Sequence, residues 1–175
     1  MAGKRKFAGI VGATVAAVAM TATMLTANIG GASGAGVTAS AAVTCAPTSK
    51  DALKLCTADQ LRAFYSAAPA GLMPAGYHEG FVLLGDFYST LLEALWGGKT
   101  FNADGSVVNH GGISEGLTGK AYFGKSALDG KPSIIVEYPN TLFALIKDEI
   151  RQVAPGVWIG YAVLGTLPIS TFGLI

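Results

Sequence analysis

The 175-residue sequence has little of the material from which metal sites and familiar catalytic motifs are built. It has two histidines, His78 and His110, and two cysteines, with no Cys-x-x-Cys pair and no His-x-x-x-His spacing. A zinc site would therefore need ligands from distant parts of the chain. We expect no metal ion and no cofactor.

Basic residues are few and unevenly placed. Three of the 12 lysines and arginines (Lys4, Arg5 and Lys6) lie at the N-terminus, whereas all 11 acidic residues follow residue 41. From residue 42 onward, nine basic residues stand against 11 acidic ones, which gives a net charge near −2. A nucleic-acid-binding protein normally shows a basic stripe, and this sequence has none. We expect no nucleic-acid partner.

The first 41 residues have the order of a secretory signal peptide. A basic start is followed by an apolar stretch over 7–27, a glycine-rich region and the small-residue triplet Ala39-Ser40-Ala41. Export machinery recognises this order. The apolar stretch is long enough for a membrane anchor to be the alternative, but threonines and glycines dilute it. We expect cleavage after Ala41, a secreted protein and no membrane partner afterwards.

Both cysteines, Cys45 and Cys56, follow the predicted cleavage site. Oxidising compartments maintain such pairs as disulfides, so we expect the two to be joined, with two free thiols as the alternative. The segment 42–70 is predicted to be helical. Its pattern fits either one helix that opens at 48–51 or a second helix that begins with a capping box from Thr57 to Gln60.

The remaining domain, 71–175, has a sequence pattern typical of a β-sheet. Short strand-like runs recur every eight to 12 residues, and a helix is predicted over 87–96. The turn signals are Asn102-Ala103-Asp104-Gly105, Asp129-Gly130 and Pro155-Gly156. The fold class is therefore mainly β with N-terminal helices (α+β). We expect a small antiparallel sheet that curls or closes into a barrel, with the helices over one opening.

The segment 141–154 fits a helix or the first arm of a hairpin, and we favour helix or loop to Ile146 and strand afterwards. A hairpin around Pro155-Gly156 would make 157–164 a strand covered on both faces, since both of its faces are largely apolar. Asp148 would then share a face with Ile146 and Ile150 and be a buried carboxylate if that face is interior. A solvated edge with ordinary surface pairs is the alternative.

Four segments carry a resemblance to known proteins: Trp96-Gly97-Gly98-Lys99-Thr100-Phe101, 128–132, 148–151 and 155–160. Together they resemble a pattern of uncharacterised bacterial secreted proteins and, more distantly, small lipocalin-like barrel domains. The leader resembles those of actinobacterial exported proteins. The resemblance covers about 71–164 and implies a barrel that can hold an apolar ligand. It implies no catalytic residue.

Candidate site residues follow from these expectations. If the protein is an enzyme, Asp148, His78 and Tyr138 are the titratable side chains to examine, because acid–base chemistry needs such groups in a water-poor pocket. The candidates for lining a ligand cavity are Trp96, Phe101, Tyr138, Asp148 and Trp158. For each aromatic residue, an ordinary place in a dry core is the alternative.

Three functions remain open on the sequence. The first is a secreted barrel that binds a small apolar molecule without catalysis, and the second is a small cofactor-independent enzyme, such as an isomerase, cyclase or hydratase, in the same cavity. The third is an extracellular structural or interaction protein that uses 169–175 as an exposed strand edge. The sequence does not indicate an oligomeric state.

Overall fold

The computed structural model describes residues 43–84 and 96–175. The predicted signal peptide and the predicted helix over 87–96, apart from Trp96, lie outside the described residues. Within these two ranges, two helices precede eight strands, and a short 3-10 helix over Gly112–Ser114 follows the third strand. The helices are α1 (Lys50–Lys54) and α2 (Ala58–Ala67). The strands are β1 (Gly76–Leu84), β2 (Gly98–Phe101), β3 (Ser106–His110), β4 (Thr118–Lys125), β5 (Pro132–Glu137), β6 (Ile146–Ala154), β7 (Val157–Leu164) and β8 (Leu167–Leu174).

The eight strands form a closed antiparallel barrel in chain order. Closure is made by β1 and β8, where Gly80 pairs with Leu174 and Val82 with Phe172. The expected small antiparallel barrel is confirmed. The expectation that 169–175 offers an exposed edge is wrong, because β8 pairs with β7 on one side and with β1 on the other. A strand paired on both sides has no free row of backbone groups to offer a partner.

The alternation of side chains along each strand separates an interior core from an outer one. On β6, Ile150 belongs to the interior cluster, whereas the neighbouring Arg151 points outward. The buried interior cluster consists of Phe101, Val107, Ile134, Val136, Tyr138, Ile150, Trp158, Phe172 and Leu174. The outer cluster consists of Leu53, Cys56, Leu61, Tyr65, Phe81, Val157, Ile159, Tyr161 and Val163.

The N-terminal segment forms two short helices, so the second of the two sequence interpretations is the correct one. Thr57 caps α2 through the predicted box: its hydroxyl accepts from the Gln60 amide at 3.3 Å, and the Gln60 side chain accepts from the Thr57 amide at 2.8 Å. Leu53 of α1 and Tyr65 of α2 pack in the outer cluster. The expectation that the helices cover an opening is therefore wrong. They cover the outer wall, because the outward face of β7 is as apolar as its inward face and must also be buried.

The chain between α2 and β1 closes one end of the barrel. We call this the lower end, where β1, β3, β5 and β7 begin. The Ala70 carbonyl accepts from the Gln152 amide at 3.3 Å, and the Leu72 carbonyl accepts from the Trp158 indole at 3.4 Å. Met73 packs against the interior cluster. Any opening of the barrel interior to solvent must therefore lie toward the upper end.

The predicted disulfide between Cys45 and Cys56 is confirmed, with Cα atoms 4.8 Å apart. It ties the residues before α1 to the end of that helix. Cys56 is buried in the outer cluster and Cys45 packs against the same cluster. The bond therefore fastens the start of the described chain to the outer wall, and a bonded pair of this kind is compatible with an extracellular protein.

A buried polar network joins α2 to the outer wall. The Arg151 guanidinium is fully buried and binds both carboxylate oxygens of Asp129, at 2.5 and 2.8 Å. It also donates to the Ser133 hydroxyl at 2.8 Å and lies 4.2 Å from the ring centre of Tyr65. Glu149 accepts from the Ala127 amide at 2.7 Å. Glu149 and Arg151 share the outer face of β6, but the partner of the arginine is Asp129.

This network makes the free energy of unfolding depend on pH in the acidic range. The Arg151 guanidinium beside Asp129 lowers the pKa of that carboxyl from its ordinary 3.8 to about 2. Because the folded pKa is the lower one, the stabilisation is complete above pH 3.8 and is lost as the pH falls to about 2. We expect the difference in unfolding free energy between wild type and D129N to shrink over that range. Urea denaturation at pH 4, 3 and 2 measures it, and a constant difference would contradict the assignment.

The predicted hairpin around Pro155-Gly156 is confirmed: β6 ends at Ala154, β7 begins at Val157, and Gly156 has the positive φ, 72°, that the turn requires. Residues 141–145 form turns, so the favoured assignment of loop followed by strand is also confirmed.

Gly160 lies inside the barrel, where a Cβ atom would overlap the ring of Phe172. That ring is itself buried in the interior cluster, so a side chain at position 160 would have to displace it. We expect Gly160→Val to lower the free energy of unfolding by about 1–3 kcal/mol, the usual cost of overpacking. Adding Phe172→Leu makes space and should recover part of that loss. If the single variant is as stable as the wild type, the packing argument is wrong.

Candidate functional site

A cavity of about 220 Å³ opens at the upper end of the barrel, where β1, β3, β5 and β7 end. Interior side chains of six strands and residues of the adjoining loops enclose it. Its apolar lining is Val82, Trp96, Leu117, Phe143, Ile146, Ala162, Ile169 and Phe172, and its other lining residues are Lys99, Asn109, Gly111, Ser114, Tyr138, Asp148 and Ser170. The wall is therefore predominantly apolar, with a few polar groups among aromatic and aliphatic ones. This is the usual composition of a small-molecule site.

Four buried polar side chains meet in one wall of the cavity. Lys99 on β2 and Asn109 on β3 are directly paired across the sheet, Asp148 lies on β6, and Tyr138 follows β5. The Lys99 ammonium lies 2.8 Å from Asp148 Oδ2. It also donates to Asn109 Oδ1 and to the Tyr138 hydroxyl, both at 2.6 Å. We call these four residues the polar cluster.

Aromatic rings surround the ammonium group of the cluster. Lys99 Nζ lies 5.2 Å from the ring centres of Trp96 and Tyr138 and 5.6 Å from that of Phe172. The Trp96 indole also donates to Asn109 Oδ1 at 3.3 Å. Ring faces attract a cation, and this attraction strengthens where water is excluded. The lysine is thus held by one carboxylate and three rings.

Tyr138 connects the lysine to the carboxylate. Its hydroxyl accepts from Lys99 and donates to Asp148 Oδ2 at 2.5 Å. Burial raises the pKa of Tyr138 well above its ordinary value, and the negative charge of Asp148 raises it further. The phenol therefore stays protonated at neutral pH and acts as a hydrogen-bond donor. Charge-assisted bonds of this kind are about twice as strong as neutral ones.

The structure brings three of the sequence-predicted site residues together. Trp96, Tyr138 and Asp148 all line the cavity. The condition that Ile146 and Ile150 face the interior is met, so Asp148 is a buried carboxylate and not part of a solvated edge. Tyr138 and Asp148 also satisfy the geometric condition for acid–base candidates, since they lie within hydrogen-bond reach in one cavity.

The other candidates lie deeper in the barrel. Phe101 and Trp158 are buried in the interior cluster and do not line the cavity. His78 is paired with Lys99 across β1 and β2, but its ring packs edge-on against Trp158 at 4.8 Å and Phe101 at 6.1 Å. Its two ring nitrogens are buried without a hydrogen-bond partner among the described residues. The geometry therefore does not join His78 to Tyr138 and Asp148.

Lys99 and Asn109 belong to the site, but the sequence analysis did not select them. A signal was present, because Lys99 alternates with Phe101 on β2 and Asn109 with Val107 on β3. In each pair the apolar partner is buried inside, so the polar residue of the same face must point inside as well. Both Lys99 and Asn109 could therefore have been selected from the sequence, because each lies two positions from a buried apolar residue on a strand.

Among residues 43–84 and 96–175, no three histidine, cysteine, aspartate or glutamate side chains are grouped so that they could hold a metal ion. No helix in these two ranges has the length and apolar character needed to cross a membrane. Among the described residues, the polar cluster brings one carboxylate, one ammonium group, one phenol and one amide to the cavity.

Comparison with known proteins adds evidence on the fold. No protein-family model and no curated protein matches this chain. Among solved structures, it is similar to one described as the crystal structure of a protein from Thermomonospora curvata, with 25% sequence identity and a TM-score of 0.51. That similarity covers 68% of this chain and 86% of the other. The chain thus has a distant structural neighbour from an actinobacterium, whose description names no activity.

Proposed function

We propose that this protein is secreted and binds a small, mainly apolar molecule in the cavity at the upper end of the barrel. The observation that carries the proposal is an apolar cavity of about 220 Å³ with one buried polar cluster in its wall. An eight-stranded barrel is just wide enough for its side chains and one small ligand. The signal-like N-terminus and the Cys45–Cys56 bond support the extracellular part of the proposal.

The composition of the wall supports binding over a purely structural role. A buried ion pair is seldom more stable than apolar residues of the same size. Lys99 and Asp148 are nevertheless both buried, and Tyr138 and Asn109 are buried with them. Polar groups kept inside a barrel at such a cost are well placed to orient a ligand that the apolar wall attracts.

Mass spectrometry tests this proposal. The protein is purified from its own cells and extracted with organic solvent, and the extract is then analysed. We expect one small molecule to be recovered in near-stoichiometric amount. Alternatively, we expect the protein, once stripped of any ligand, to take up small aromatic probes. Ala162→Leu is the matched variant for comparison with the wild type. It adds side-chain volume to the cavity wall, where the ligand would bind, and changes no charge. An empty wild-type protein that also binds no probe would refute the proposal.

A second candidate function is cofactor-independent proton transfer in the same cavity. It is favoured by the contact of Tyr138 with Asp148 at 2.5 Å in a largely apolar wall. A carboxylate in such a place can remove a proton next to a carbonyl group and return it, with the phenol and the ammonium group balancing its charge. This is the chemistry of an isomerase or of a cyclase that begins with enolisation.

Deuterium exchange tests the second candidate without knowledge of the substrate. In D₂O, the wild type should accelerate exchange of the protons next to the carbonyl of 2-tetralone, followed by NMR. Asp148→Asn should abolish the acceleration, whereas Lys147→Met, on the same strand but outside the cavity, should leave it unchanged. Equal rates with wild type, D148N and buffer would remove this candidate and leave the binding function standing.

A further inference from the structure

We infer that the ligand is an uncharged molecule that donates a hydrogen bond, from a hydroxyl or N–H group, to Asp148, and that apolar carboxylates are rejected. The inference rests on the proposed binding function and narrows it to a chemical class. It follows from counting the donors and acceptors that the polar cluster has already used.

The charged donor of the cluster already has partners. The Lys99 ammonium donates to Asn109 Oδ1 and to the Tyr138 hydroxyl, and it forms an ion pair with Asp148 Oδ2 at 2.8 Å. The single O–H bond of Tyr138 points to the same Asp148 oxygen. A ligand carboxylate or carbonyl that approached Lys99 or the Tyr138 hydroxyl would therefore compete with these existing charge-assisted contacts.

Asn109 is engaged as well. Its side-chain nitrogen donates to the Leu117 carbonyl at 3.3 Å, and its oxygen already accepts from Lys99 and from the Trp96 indole. Ser114, at the rim, donates to the Gly111 carbonyl at 3.0 Å. Ser170 is a further hydroxyl of the wall, which can donate or accept. The donors left to a ligand are thus neutral ones, such as the Ser170 hydroxyl and the second N–H of the Asn109 amide.

The acceptor side is different. Both polar contacts of the Asp148 carboxylate reach Oδ2, and among the described residues none reaches Oδ1. A carboxylate has about four lone-pair sites across its two oxygens. Asp148 lines the cavity, so the unused capacity is presented to a molecule inside it. A buried acceptor of this strength favours a ligand that brings a donor.

Charge leads to the same conclusion. Within the polar cluster, the positive charge of Lys99 is matched by the negative charge of Asp148 at 2.8 Å. A second carboxylate beside this pair would add an unmatched negative charge to a wall of low polarity, which is strongly unfavourable. A neutral donor adds no charge and gains a bond to a charged acceptor.

Three probes of similar shape test the inference: 2-naphthol, 2-methylnaphthalene and 2-naphthoate, each titrated by calorimetry at pH 7. A hydrogen bond to a charged group contributes about 1.5–3 kcal/mol, so 2-naphthol should bind at least about tenfold more tightly than 2-methylnaphthalene. Binding of 2-naphthoate should be weaker than that of both. Binding of none of the three would overturn the proposed function together with the inference. Binding without preference, or with 2-naphthoate as the tightest ligand, would overturn the inference alone.

Asp148→Asn sharpens the test by reversing the preference. The substitution removes the negative charge that matches Lys99, so 2-naphthoate should bind more tightly than to the wild type and 2-naphthol should lose its advantage. Unchanged affinity for 2-methylnaphthalene shows that the variant is folded with its cavity intact. Ser170→Ala is the second variant, and we expect it to leave the order of the three probes as in the wild type. If S170A removes the preference for 2-naphthol, the hydroxyl of the ligand binds the serine and the inference is wrong. If D148N does not fold, the order in which the wild type binds the three probes still decides whether the inference holds.

Discussion

Replacing Arg151 by methionine is expected to lower the free energy of unfolding by about 3–5 kcal/mol, the usual result of removing one partner from a buried charged network. The guanidinium is fully buried, and it holds Asp129, the Ser133 hydroxyl and the Tyr65 carbonyl at once. The variant leaves these acceptors without their donor between α2 and the outer wall. Urea denaturation at neutral pH measures the loss.

Lys147→Met is the matched control, because it makes the same kind of change on the same strand. Lys147 contacts Glu137 at 2.5 Å, but its side chain is 51% exposed. Exposed ion pairs contribute at most about 1 kcal/mol, so the control should be close to the wild type. Similar losses in the two variants would show that the buried network has no special part in stability.

The polar cluster should behave differently when it is removed as a unit. Lys99→Met alone leaves the buried Asp148 without its cation, which should cost about 3–5 kcal/mol. The triple variant K99M/Y138F/D148L removes ammonium, phenol and carboxylate together, and Asn109 keeps its bonds to Trp96 and to the Leu117 carbonyl. We expect the triple variant to be as stable as the wild type or more so, by up to about 4 kcal/mol.

Thermal and urea denaturation of the single and triple variants measure this prediction, and titration with 2-naphthol shows whether the recovered stability is accompanied by lost selectivity. Such an outcome would mean that the cluster is retained for its ligand and not for the fold. A triple variant less stable than K99M would instead make the cluster a structural element of the barrel.

Local sequence signals predicted the parts of this fold that local geometry determines. Pro155-Gly156 fixes a turn, and the Thr57–Gln60 box begins a helix, because in each case the residues act within four positions of one another. The Cys45–Cys56 pair was predictable on a different ground, because both cysteines follow the predicted cleavage site and lie only 11 residues apart.

The parts that failed depend on contacts between distant segments. Whether 169–175 is an edge is decided by β1, which precedes β8 by about 90 residues. The placement of the helices is decided by which face of β7 remains uncovered after closure. Lys99 and Asp148 lie 49 residues apart in the sequence, and their pairing requires the register of several intervening strands. Alternation places Lys99 on one face of β2 and Asp148 on one face of β6. Only the closed barrel shows that both faces line the same interior.

The closing pair of strands has a consequence for how the barrel folds. Each of the other seven pairings joins strands that follow one another in the chain, whereas the seam joins Gly80 to Leu174. Short loops close quickly, and a loop of this length loses more chain entropy before its contacts form. We therefore expect the hairpins to assemble before the seam closes. The cavity and the pairing of Lys99 with Asp148 are complete only when the seam closes, so we expect the proposed binding site to form in the last step of folding.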